Sequence, residues 1–390
     1  MPNPIYFDRR KQVSTSTGQG AFTLNPVVGP WKALNTTPST LAIPYCIAHQ
    51  TASDWEVGLG SVDNLSQTLT RSTVFDGSAG AGNLTNFSGG NKDVFITPLA
   101  NYMPRVNPWT CHGRLGLQSG SPTTDVTSSS TVYFTPFQGT QVAMPETASM
   151  GAGQWKLYDF TEISTPISGQ IANIPFDVSL VDTNGVLGLS TQQWASATAR
   201  SVAITFVDGI PLIGNYRYLG TINPVTATTT ADYPKQRFVW NYYNSIPRRM
   251  GNFPATGTWS GVGNLAWRGQ NTDTTKARAV EFVIGLTPPL RPVNVRAAIY
   301  YNTPAGTFPE LGLTLDASSA NWTPSLTDAF TVEGGGNQSG FMTAEYNQIP
   351  PIGYHYLQPT EAIQVGTGTV GWYDYYANRF VGGVQGTIWA

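Results

Sequence analysis

Chemistry in a protein needs ligating, nucleophilic or titratable side chains brought together, and this sequence has few of the versatile kinds: His49, His112 and His355, with Cys46 and Cys111. The cysteines lie far apart and outside any C-x-x-C spacing, so they predict neither a zinc site nor a disulfide framework and read as small buried apolar residues. The zinc-helix pattern H-E-x-x-H is absent, and the nearest pairing of a histidine with a carboxylate, His355 with Glu361, falls in a proline-containing, non-helical stretch. A nucleophile elbow, a Walker loop and a dinucleotide glycine motif are also missing; Gly334-Gly335-Gly336 has no lysine after it and reads as a surface loop. Asp182, Asn184 and Gly185 look like part of a calcium loop, but the closing glutamate is lacking, so a tight turn is expected there. These absences predict no catalytic residue, no metal and no cofactor.

Two chemistries stay open. Glycoside hydrolysis needs only two carboxylates across a cleft, and among 23 acidic residues no pair stands out. The run Trp372-Tyr373-Asp374-Tyr375-Tyr376, with Asn378 and Arg379 beside it, could stack on sugar rings and bond their hydroxyls, making it the candidate contact site for a host-surface glycan. The same run also fits a strand that buries alternate aromatics in a core or a subunit interface.

The elements that would position such residues are strands. Only 11% of the 390 residues are charged, against ~25% in an average soluble protein, while 41 glycines, 28 prolines and many Thr, Ser and Asn fill the difference. That mixture builds strands and turns rather than helices. No long window has helical periodicity, whereas short runs of β-formers recur between Gly, Pro and Asn turns, so an all-β fold of β-sandwich or jelly-roll-like domains with little helix is expected. In Trp55-Glu56-Val57-Gly58-Leu59-Gly60-Ser61-Val62 the apolar alternation runs through Trp55, Val57 and Leu59 and slips at Val62. In the next strand Leu69 and Arg71 point one way, Thr68 and Thr70 the other. Turn residues Pro104, Asn107 and Pro108 suggest a first boundary, giving 1–103 as an N-terminal β domain, 104–215 as a middle β domain and 216–390 as a C-terminal β-sandwich.

A net charge of −2 and short basic runs, Arg9-Arg10-Lys11 and Arg248-Arg249, offer no footprint for nucleic acid. No apolar run is long enough to cross a membrane as a helix, and the start lacks the apolar stretch of a signal peptide, so a protein made in a cytoplasm and not inserted in a membrane is expected.

Three stretches, Trp55-Glu56-Val57-Gly58-Leu59-Gly60, Leu69-Thr70-Arg71-Ser72-Thr73-Val74 and Asn86-Phe87-Ser88-Gly89-Gly90-Asn91-Lys92-Asp93-Val94-Phe95, resemble in order and spacing a module of tailed-bacteriophage virion proteins. Further on, Gly113-Arg114-Leu115, Val132-Tyr133-Phe134-Thr135-Pro136-Phe137, Arg217-Tyr218-Leu219-Gly220-Thr221-Ile222 and Lys235-Gln236-Arg237-Phe238-Val239-Trp240-Asn241-Tyr242-Tyr243-Asn244 resemble a widespread phage structural protein of the tail-fibre, head-fibre or spike kind. Where that kind has a Ser- and Asn-rich turn, this chain has Asp76-Gly77-Ser78-Ala79-Gly80. The resemblance implies a non-enzymatic virion component with residues 1–103 as particle anchor and 216–390 exposed for host attachment. It implies a homotrimer held to capsid, portal or tail proteins and assembled in the host bacterial cytoplasm. A decoration or adaptor protein without host contact, and a carbohydrate-binding or glycan-degrading module, are the alternatives.

Overall fold

The structure, a computed structural model, describes residues 9–34, 42–97, 106–145, 155–254, 257–263, 265–286, 291–317, 326–331, 338–376 and 380–390. It is nearly all β, and the helical segment among the described residues is a single 3-10 turn, Gln270–Thr272. The chain forms two compact units, Met1–Arg105 and Val106–Ala390.

In the first unit six antiparallel strands lie in the order Lys11–Ser14, Lys92–Ile96, Ile43–His49, Trp55–Asp63, Thr68–Gly77, Phe22–Thr23. The two outermost strands meet: Asn25 N donates to the Val13 carbonyl at 2.8 Å, and Ser14 Oγ donates to the Thr23 carbonyl at 2.7 Å. The sheet thus curls back on itself and shields edges that would otherwise pair with other chains.

The inward face of Trp55–Asp63 is the reverse of what its apolar residues suggest. Glu56, Gly58, Gly60 and Val62 point into the core and Trp55 is exposed, although Leu59, on the other face, is buried as well. The slip expected at Val62 is in fact the residue that marks the true phase. Glycine is required inside because the Tyr45 ring lies there: a Cβ on Gly58 would sit 2.2 Å from the Thr73 carbonyl oxygen and 2.8 Å from the Tyr45 hydroxyl. Glu56 accepts hydrogen bonds from Tyr45 Oη (2.6 Å), Thr85 N (2.7 Å) and Arg71 Nη1 (2.9 Å). Arg71, on the inward face with Leu69 as expected, also donates to the Gly20 carbonyl at 2.9 Å and lies over the Phe22 ring. Burial, together with the bond to Glu56, holds the Tyr45 phenol above its ordinary value.

Among the described residues the second unit contains two large hydrophobic cores and a small third cluster of Ala231, Phe238 and Tyr354. Gly113–Gly116 and Thr131–Pro136 cover one side of a sheet containing Val186–Gln193, Phe176–Thr183, Tyr216–Ile222, Ile210–Ile213 and Thr205–Val207, enclosing Leu115, Val132, Phe134, Phe176, Val178 and Leu219. The expected turn is present: Asn184 and Gly185, both with positive φ, join Thr183 to its partner Val186. A second such turn, Asp208-Gly209, links Val207 to Ile210. The expected boundary between residues 215 and 216 falls inside this sheet, because Tyr216–Ile222 pairs with both Ile210–Ile213 and Phe176–Thr183. A motif that opens like a new domain is the central strand of the preceding one.

The larger core is a β-sandwich. One sheet contains Val280–Ile284, Gly353–Val365 and Phe308–Leu315; the other contains Val293–Thr303, Gln338–Gln348, Thr369–Tyr373, Gly383–Trp389, Pro247–Asn252 and Thr258–Val262. Phe282, Val295, Ile299, Leu313, Met342, Tyr346, Leu357 and Ile388 fill the space between them, each large apolar side chain contributing roughly 1.5–3 kcal/mol.

Arg248 belongs to a buried cluster rather than to a basic surface. Its Nη2 lies 2.9 Å from Asp125 and 3.0 Å from Asp232, and Arg237 Nη1 reaches Asp125 at 2.6 Å. Burial pushes the Asp232 carboxyl up to about 6, against the pull of Arg248 and Arg237.

Two predictions follow from these interiors. Glu56→Ala leaves the Arg71 guanidinium buried and unpaired, and a loss of ~3–5 kcal/mol is expected in urea unfolding followed by a probe in the first unit; a loss below ~1 kcal/mol would show that the pair contributes little. A carboxyl raised above its unfolded value holds more protons folded than unfolded, so the stability it contributes is complete below about pH 4 and is lost as the pH rises to about 6. The unfolding free energy of the native chain minus that of Asp232→Asn should therefore fall across that window and stay level above it. A difference that grows with pH would contradict the assignment.

Candidate functional site

The aromatic run at 372–376 divides according to the strand period. In Thr369–Tyr373, Val370 and Trp372 face the sandwich core while Thr369, Gly371 and Tyr373 face outward. Trp372 is fully buried opposite Tyr301 and Trp259, and its indole N–H has no partner among the described residues. Asp374 is buried as well: it pairs with Arg278 at 3.0 Å and accepts from Gly257 N at 2.8 Å, while Arg278 stacks 4.4 Å from the Trp259 ring. Neither residue offers a surface to a ligand, which corrects the contact role expected of both. Tyr375 is exposed, in the short pair Tyr375–Tyr376 with Phe380–Val381. Asn378 and Arg379 lie outside the described residues.

Tyr373 is the member of the run that joins a larger arrangement. Register places it directly beside Tyr300, and Tyr300 directly beside Phe341, forming a three-ring row across three strands on the outer face of the sandwich. Ring centres are 5.5 Å apart between Tyr373 and Tyr300 and 5.2 Å between Tyr300 and Phe341, with the planes inclined at 70° and 65°. Phe341 is 58% exposed. The neighbouring rung, Ser339, Asn302, Gly371 and Ser260, is small and polar. Edge-to-face packing turns these rings against one another, so they do not form the coplanar platform on which a sugar would lie.

A second feature is an open cleft of about 680 Å³. Trp109, Phe206, Tyr242 and Tyr243 supply its aromatic lining, and Asn107, His112, Gln138, Asn244 and Arg291 its polar lining. Trp109 is fixed by a turn in which its N–H donates to Asn107 Oδ1 at 3.0 Å, and its ring lies against Gly209, where a Cβ would be 3.2 Å away. Tyr242 and Tyr243 meet edge to face, with centres 4.9 Å apart and planes at 87°. Cys111 lies at the wall, its thiol pushed up by burial and so unreactive. Among the described residues the lining holds no carboxylate to serve either role in two-carboxylate hydrolysis.

His355 and Glu361 make contacts within the fold. His355 Nδ1 lies 2.7 Å from Asp316, not beside Glu361, which is held by Arg268 (2.7 Å) and by the Trp259 indole N–H (2.7 Å). No group of three His, Cys, Asp or Glu side chains suited to a metal ion occurs among the described residues.

No protein-family model and no curated protein matches this chain. Among solved structures it has likenesses to the insecticidal δ-endotoxin Cry8Ea1 of Bacillus thuringiensis (9% identity over 72% of this chain and 52% of the toxin, TM-score 0.18), so it spans about half of that protein. Others are the structure of infectious bursal disease virus Gx strain (10%, covering 97% and 74%, TM-score 0.20) and a family 43 arabinoxylan arabinofuranohydrolase from Bacillus subtilis (10%, covering 98% and 79%, TM-score 0.20). At these scores they assign neither a fold family nor a role.

The two faces of the strand at 369–373 make opposite predictions. Trp372→Ala empties a core position and should cost ~3–5 kcal/mol in chemical denaturation, whereas Tyr373→Ala on the outer face should cost well under half of that. Equal losses would mean that the outer row is as integral to the fold as the core.

Proposed function

We propose that this protein is a structural component of a tailed-bacteriophage particle, a fibre or spike subunit that projects from the virion and contributes to host attachment without catalysis. The observation that carries this reading is the convergence of the stretches that resemble phage proteins. In the first unit Glu56, Gly58, Gly60, Leu69, Arg71, Phe87 and Lys92 are all interior residues. In the second, Asn241 bonds both backbone groups of Leu115, Asn244 Nδ2 donates to the Cys111 and Gly113 carbonyls, and Arg217 lies 4.5 Å over the Tyr243 ring. The stretches that carry the resemblance thus pack against one another within each unit, which supports their acting as structural building blocks here.

The outer-face row Phe341–Tyr300–Tyr373, with Phe341 exposed and both tyrosines half-buried, supports self-association. An apolar patch on the outer face of a sheet marks an interaction surface, and rings already engaged with each other suit a flat protein partner better than a sugar. On this reading the second unit assembles into a homotrimer through that face while the first unit holds the particle.

Two measurements test the reading. Electron cryomicroscopy of whole particles should reveal the chain in projecting density with three-fold copies; density lying flat among capsid or tail subunits would make it a cementing component instead. Light scattering on the purified chain should return a trimer, converted largely to monomer by Phe341→Glu, and a monomeric native chain would remove the trimer from the proposal.

A further inference from the structure

We infer that the cleft at Trp109, Phe206 and Arg291 binds an acidic saccharide, a sugar that carries a carboxylate. Its volume, about 680 Å³, falls within the ~300–1,000 Å³ of small-molecule sites. Its two rim aromatics, Trp109 and Phe206, are 50% and 57% exposed, unusually so for such large rings. The backbone that carries Phe206 and seats Trp109 is nonetheless held in place. Phe206 lies on Thr205–Val207, the turn of that hairpin contains Gly209, and Gly209 is the residue on which the Trp109 ring rests. Trp155 Nε1 anchors the same turn through Asp208 Oδ2 at 2.8 Å. A ring seated in this way, as Trp109 is, loses little freedom when a ligand arrives, and the apolar faces of Trp109 and Phe206 match the C–H face of a sugar ring.

The charge in the cleft selects the class of sugar. Arg291 is stacked 4.9 Å from the Trp389 ring and bonded to the Ser245 hydroxyl, and it has no carboxylate partner among the described residues. Among the described residues the lining contains no Asp or Glu to balance it. Of the other arginines that bear on the cores of this unit, Arg200, Arg237, Arg248, Arg268 and Arg278 each face an acid, and the buried Arg114 and Arg217 are engaged by backbone carbonyls, whereas Arg291 lies exposed at the cleft. A planar guanidinium left unpaired at an aromatic cleft is a bidentate receptor for a carboxylate. A phosphate-bearing nucleotide is less well matched, because phosphate sites draw on helix N-termini or glycine-rich backbone nests and the cleft is lined by strands and turns. With no acid among the described residues of its lining, the cleft suits retention of such a sugar rather than its cleavage.

This inference deepens the attachment reading and rests on it only for the source of the sugar, a bacterial surface glycan; the binding itself does not depend on where the protein sits in a particle. The test is titration calorimetry on the purified full chain with trigalacturonate and sialyllactose as acidic probes, maltotriose and lactose as neutral ones, and adenosine monophosphate. Saturable binding of an acidic probe, at least about tenfold tighter than its neutral counterpart, is expected, falling about tenfold or more in Arg291→Gln and in Phe206→Ser, with Tyr373→Ala unchanged. Phe206 is on an exposed strand, so its variant keeps the test valid if the arginine variant unfolds; thermal unfolding of each variant verifies this. Equal affinity for acidic and neutral sugars, preference for the nucleotide, or no saturable binding would each overturn the inference. Binding retained in a protein that lies flat in the particle would sink the attachment reading alone, and projecting density without binding would sink the cleft alone.

Discussion

Buried guanidinium groups are the interaction on which the rest of this structure depends. The sequence is poor in charge, yet Arg71, Arg114, Arg217, Arg237, Arg248 and Arg278 are buried. Each reaches acceptors that an aliphatic side chain could not satisfy. Arg114 donates to the carbonyls of Asn244 and Ala390 at 2.5 and 2.7 Å, and Arg217 to those of Pro108 and Ala143 at 2.7 and 2.5 Å. Short strands that end in irregular turns leave carbonyls without ladder partners, and a five-donor fork can gather several of them at once. A β-sheet chain with many turns and little helix draws on such connectors to satisfy those carbonyls.

Much of the architecture was readable from the sequence, and the places where reading failed share a cause. Strand and turn chemistry is local, so the all-β class, the Asn184-Gly185 turn and the pairing of Leu69 with Arg71 on one face were legible. The phase of Trp55–Asp63 was not, because hydrophobicity votes for Trp55 inside, whereas the space beside Tyr45 admits only glycine. The expected division at 215/216 failed for a similar reason. Nothing in Arg217-Tyr218-Leu219 states that its partner strands lie upstream, at 176–183 and 210–213.

The candidate sites were legible only in part. Alternation within Trp372-Tyr373 could be anticipated, but which ring faces out is decided by Tyr301 and Trp259 on neighbouring strands. The row through Tyr300 and Phe341 exists only once register is fixed, since its three members are far apart in sequence. The cleft draws Trp109, Gln138, Phe206, Tyr243 and Arg291 from separate stretches, none of which carries a motif. Its one sequence-level signal, the Asp208-Gly209 turn that supports Trp109, speaks of a hairpin and not of a ligand.

The position of the strand Gly383–Trp389 has a consequence for synthesis. It lies between Pro247–Asn252 and Val293–Thr303 and pairs with both. A ribosome delivers those two flanking strands long before the one that joins them, so their facing edges wait open while the intervening chain is made. Completion of the sandwich is a late event set by long-range pairing, and the nascent chain is most prone to aggregate in that interval. Slow elongation near this strand, or a chaperone that masks the two waiting edges, would govern yield more than the stability of the finished fold.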